Sequence, residues 1–145
     1  MATREKLKMN IRMAVMAFAV ATILAGCAEK DEYQNAVLEQ MKVDKDIKDY
    51  GLSPETMTSC VVGKSSDNMP GVVFLDPSRR EAYRNYAKML GLSGSKDPQK
   101  TLEELRKTFG SPKSLADAHS NYVESVMECM SDLVTNTEIA SNKAK

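Results

Sequence analysis

After residue 30, apolar side chains recur at three- and four-residue spacing along most of the chain, and short polar clusters interrupt them. That spacing lays one apolar stripe along a helix. Four pairs of a polar residue and proline mark where helices begin: Ser53-Pro54, Asp76-Pro77, Asp97-Pro98 and Ser111-Pro112. A side-chain oxygen at the N-cap accepts from an otherwise orphan backbone N–H. Proline fits the first turn, where its missing donor costs nothing. Gly51, Gly91 and Gly110 stand where helices would stop, because glycine takes the left-handed C-terminal conformation cheaply. Starts and stops alternate in the right order.

Five helices follow from these marks. The first is expected over Asp31–Tyr50, with Tyr33, Val37, Met41, Val43, Ile47 and Tyr50 as its apolar positions. The second, Pro54–Gly63, carries Met57, Cys60 and Val61, and the third, Pro77–Leu90, presents Tyr83, Tyr86, Ala87 and Leu90. The fourth, Pro98–Phe109, presents Leu102, Leu105 and Phe109. The fifth, Pro112–Val134, bears a stripe of Leu115, Ala118, His119, Tyr122, Val126, Cys129, Met130 and Leu133. Lys64–Pro70 (KSSDNMP) reads as a polar loop, and Gly71–Leu75 (GVVFL) as an extended apolar segment tucked across the bundle. The tail over 135–145 is polar and expected to fray. The fold class is therefore all-α: one small domain over residues 33–134, a bundle of four to five helices.

The start of the chain follows a different rule. Arg4, Lys6, Lys8 and Arg12 form a basic stretch, and Met13–Leu24 (MAVMAFAVATIL) is an uncharged, mostly apolar run. The run is shorter than the ~20 apolar residues a membrane-spanning helix needs, but it suits the core of an export signal. Leu24-Ala25-Gly26-Cys27 follows. This tetrapeptide resembles the lipobox of bacterial lipoproteins in both order and position. The resemblance implies a signal peptide over residues 1–26, cleavage before Cys27, and fatty acyl chains (palmitate and its like) on that cysteine. Residues 27–32 would then be a lipidated tether. One acyl chain holds a protein marginally and two or three hold it stably. Ala28 rather than Asp after the cysteine implies an outer-membrane destination, facing the periplasm or the cell surface.

Charge changes once the signal is set aside. The chain holds 20 basic and 20 acidic residues; the signal takes four basic residues and one acidic one, so the remainder keeps 16 and 19, a net of about −3. Nothing in this balance favours a nucleic-acid partner, which calls for a basic face. Of the three cysteines, the lipobox uses Cys27, and Cys60 and Cys129 are left as a pair in a compartment where disulfides persist. A structural bridge between them is expected, tying the second helix to the fifth. Without a CxxC spacing, a redox or metal-binding pair is the weaker reading.

Candidate chemistry is sparse. His119 is the only histidine, so neither a histidine-pair metal site nor a histidine relay can be built; on the apolar stripe it reads as a core-edge residue bonded to a backbone carbonyl. Met127, Met130 and Met57 near the cysteines invite a Cu(I) reading, yet methionine is also the adaptable filler of small cores. Arg79, Arg80 and Arg84 form a basic cluster whose default is a solvated face. No GxSxG is present. The tyrosines are the harder feature to dismiss. Tyr83, Tyr86 and Tyr122, with Phe74, either close the core or line a groove for a partner helix or a lipid chain, and a closed core is favoured because a small domain has little apolar surface to spare. No metal or cofactor is expected. The expected function is a non-enzymatic, membrane-tethered module that binds a protein partner in an envelope assembly. A carrier of a lipid or other apolar ligand is the alternative, and an envelope enzyme with an unrecognised carboxylate site is a third.

Overall fold

The computed structural model describes residues 28–73 and 76–143, with side chains described to residue 137. The signal segment, Cys27, Phe74 and Leu75 lie outside the described residues. Each of the four polar-proline pairs opens a helix. Ser53 accepts from the Thr56 N–H at 3.3 Å and Asp76 from Ser78 at 2.9 Å. Asp97 accepts from Lys100 at 3.0 Å and Ser111 from Ser114 at 3.0 Å. The chain is an all-α bundle, and six helices form among the described residues, with no strand. They are α1 (28–43), α2 (Lys45–Asp49), α3 (Pro54–Asp67), α4 (Pro77–Leu90), α5 (Pro98–Thr108) and α6 (Pro112–Lys143).

Five features differ from the sequence reading. The expected long first helix breaks at Asp44, which turns extended and caps α2, accepting from the N–H groups of Asp46 and Ile47. Tyr33, Val37 and Met41 keep four-residue spacing into the core, and the break re-aims Ile47 to join them, leaving Val43 and Tyr50 exposed. Helix α3 runs through Gly63 to Asp67, so KSSD is helical rather than loop. The Ser65 and Ser66 hydroxyls bond back to the carbonyls of Val61 and Val62, and Ser65 also meets the Tyr33 hydroxyl at 2.8 Å. Gly51 and Gly110 take positive φ as helix stops require, but Gly91 does not; α4 runs on into a 3-10 turn, Gly91–Gly94. Helix α6 continues well past Val134 through the stretch expected to fray. At the other end, residues 28–32, expected as a tether, belong to α1, and Glu29 is buried.

Cross-links fix the directions of the helices. Glu29 pairs with Arg80, Tyr33 packs on Tyr83 and Tyr86, and the Gln40 amide donates to the Leu90 carbonyl, so α1 and α4 run parallel. Cys60 is bridged to Cys129 with Cα atoms 5.9 Å apart, as expected. Asn121 donates to the Ser65 carbonyl and meets Asn68, so α3 and α6 run antiparallel. Beside the bridge, Lys64 reaches Glu128 and Asp132 at 3.1 and 3.0 Å. One end of the bundle therefore gathers residue 28, the α3–α4 connection and the start of α4. No helix among the described residues is long and apolar enough to cross a membrane.

Candidate partner groove

Tyr33, Tyr83 and Tyr86 form the centre of the core. Tyr33 stacks on Tyr83 at 5.9 Å between ring centroids and meets the edge of Tyr86 at 5.6 Å. Phe109 lies 6.0 Å from Tyr86 on the far side. Each hydroxyl has a partner: Tyr33 with Ser65, Tyr83 donating to Ser66 at 3.1 Å, and Tyr86 accepting from Asn121 at 3.0 Å. Burial holds the phenols of Tyr33 and Tyr86 above their ordinary pKa, and that of Tyr122 is pushed up to about 12 by burial, with a smaller contribution from the Asp44 carboxylate. Tyr83, Tyr86 and Tyr122 are thus core residues, at 4, 4 and 9 % exposure. Phe74 falls outside the described residues, while Val72 and Val73 of the segment expected to tuck across the bundle are exposed at 89 and 57 %.

The open concavity is elsewhere. A groove of about 660 Å3 runs between the end of α4, α5 and the first half of α6. Leu90, Leu102, Leu105 and Leu115 form its apolar floor, and Arg106 and His119 stand on its rim. Helix α5 supplies Leu105 as a fully buried anchor, while Leu102 one turn earlier is only partly covered. Tyr122 touches this groove only as part of its wall. Beyond it along α6, Val123 and Met127 lie exposed one turn apart. Ala116, Ser120, Val123 and Met127 therefore share one outer face at the spacing with which helices read one another. A second concavity, of about 560 Å3, lies between the start of α4 and α6 and is more polar, with Glu81, Asn85, Asp117 and Asn121 in its wall.

Several residues singled out by sequence sit differently. His119 is exposed rather than at the core edge, because the buried face of α6 is Leu115, Ala118, Tyr122, Ser125 and Cys129, centred about 80° round the helix from it. Met57 is in the core, Met130 is partly buried and Met127 is on the surface, while Cys129 is oxidised. The copper set does not converge. The basic cluster also divides. Arg79 is buried, its guanidinium donating to the carbonyls of Gly71 and Ser66. Arg80 pairs with Glu29 at 2.8 Å, and Arg84 is exposed. The Arg80 guanidinium holds the Glu29 carboxyl below the usual range, although Glu29 Oε2 has no partner among the described residues. Among the described residues no group of three or more His, Cys, Asp and Glu side chains gathers as a metal site would. Comparison with family models, curated proteins and solved structures finds no match for this chain.

Proposed function

We propose that this protein is a lipid-anchored envelope lipoprotein of the outer membrane whose helical domain binds a protein partner through the groove between α4, α5 and α6. The anchor rests on the basic start, the short apolar run and the lipobox-like Leu24-Ala25-Gly26-Cys27. The binding role rests on one observation: an apolar floor left open at the surface and continued along α6 by Val123 and Met127. A helix laid there would cover both. The carrier reading keeps one point in its favour, since the groove's volume falls within the ~300–1,000 Å3 of small-ligand pockets.

Two measurements test the reading. Cys27→Ser should abolish incorporation of a palmitate analogue and membrane retention; normal labelling of that variant would sink the anchor. A photo-crosslinking amino acid at Ser120 or Met127 should trap one discrete protein species in cells, and the same residue at Lys48 should not. Leu102→Asp should remove that species while the far-ultraviolet spectrum stays unchanged. Crosslinks only to lipid from Ser120 would transfer the groove to the carrier.

A further inference from the structure

The α3–α4 connection is built with unusual care for a loop that displays two valines to solvent. Met69 anchors its start in the core. The buried Arg79 guanidinium clamps it from below by donating to the Gly71 carbonyl and, behind it, to the Ser66 carbonyl. Gly71 sits at φ 85°, and a Cβ there would come within 2.7 Å of the Arg79 backbone nitrogen. That position therefore admits glycine alone. On the next residues, the Val72 N–H donates to the Asp76 side chain at 3.3 Å, and the Val73 carbonyl accepts from the Asp76 N–H at 2.9 Å. These contacts fix a loop whose product is Val72 at 89 % and Val73 at 57 % exposure.

The place of this loop says what should cover it. The Asp76 carbonyl accepts from the Arg80 N–H, and the Arg80 side chain is bonded to Glu29. Glu29 is two residues past Cys27. A free six-residue tether could have held the domain up to about 20 Å from its lipid. Instead residue 28 is already helical, and α1 is locked to α4 from Glu29 onward. Because consecutive Cα atoms lie about 3.8 Å apart, lipid on Cys27 would begin one residue from a rigid body.

We infer that Val72 and Val73 are a membrane contact that seats the domain on the bilayer surface beside its own lipid anchor, fixing its orientation. This rests on the lipoprotein reading above. The far end of α6 then points away from the bilayer. Asn136 is 15 residues past Asn121, about 22 Å further along the axis, so the last turns of α6 stand clear of the membrane.

The test uses the lipoprotein purified from membranes and reconstituted into phosphatidylethanolamine–phosphatidylglycerol vesicles. An environment-sensitive fluorophore is placed on Val73→Cys or, for comparison, on Asn136→Cys; mass spectrometry reports the fatty acid on Cys27. Spin-labelled lipid should quench most of the emission at position 73, with a blue shift, and leave position 136 unchanged. Equal, weak quenching at both positions in a protein that carries its fatty acid would overturn the contact and leave the anchor standing. A Cys27 without fatty acid would overturn both.

Discussion

Replacing Tyr86 by alanine separates a closed tyrosine core from a tyrosine-lined groove. The ring is 4 % exposed and lies between Tyr33 at 5.6 Å and Phe109 at 6.0 Å. Large-to-small aromatic changes at such sites cost about 3–5 kcal/mol, because the transfer loss is compounded by the cavity left behind. The edge-to-face contact with Tyr33 puts the expectation in the upper half of that range, since aromatic pairs contribute about 0.5–1.5 kcal/mol beyond area. The hydroxyl is a separate matter. Asn121 Nδ2 donates both to it and to the Ser65 carbonyl, so Tyr86→Phe strands one amide hydrogen and should cost about 1 kcal/mol. Urea unfolding of the oxidised protein, followed by circular dichroism, reads both. At constant m, the alanine variant should show a much lower midpoint and the phenylalanine variant a small shift. A Tyr86→Ala midpoint equal to wild type would refute the closed core.

Two further outcomes are expected. Removing the bridge in Cys60→Ala/Cys129→Ala opens a loop spanning 69 residues of sequence, and the chain-entropy relation gives a loss of about 4 kcal/mol; calorimetry should show a large drop in Tm, and an unchanged Tm would make the bridge irrelevant. Arg80→Met should destabilise the fold at neutral pH by stranding the buried Glu29 carboxylate. Because folding lowers the Glu29 pKa, the pair stabilises above the ordinary glutamate value of about 4.3 and that contribution fades as pH falls through the folded-state value. Stability measured from pH 7 to 3 should thus fall less steeply in the variant than in wild type, and parallel curves would count against the pair.

What the sequence disclosed is what depends on local chemistry. Ser53, Asp76, Asp97 and Ser111 cap helices because a short side chain and its own backbone suffice, and the pairing of Cys60 with Cys129 needed only a count, since they are the two cysteines left once Cys27 is set aside. What escaped depends on partners distant in sequence. Ser65 and Ser66 sit in polar KSSD, and nothing nearby says that the Tyr33 and Tyr83 hydroxyls will meet theirs. Asp44 was a legible capping residue, hidden because the apolar spacing continues across it to Ile47. Arg79 and Arg80 look like surface charge until the Gly71 carbonyl and Glu29 are brought to them. The groove was invisible for the same reason: Leu90, Leu102 and Leu115 each read as ordinary stripe residues, and only the assembled helices α4, α5 and α6 leave a concavity over them.

The division of labour among the aromatic residues explains why the open groove lies at the edge of the bundle. Three tyrosines meet in the centre, and their hydroxyls are satisfied by Ser65, Ser66 and Asn121. A buried polar network of this kind resists rearrangement, since an unpaired hydroxyl in the core costs more than the bond itself returns. The tyrosine centre, with the disulfide between α3 and α6, therefore makes that half of the domain rigid. Helix α5 has no such tie. It is attached through the single fully buried side chain Leu105, through partly buried Leu102 and Phe109, and by short connections at either end. If the groove gives way to admit a partner, it is this helix that moves, because its displacement breaks few buried contacts. Its inner face is also the wall of the groove.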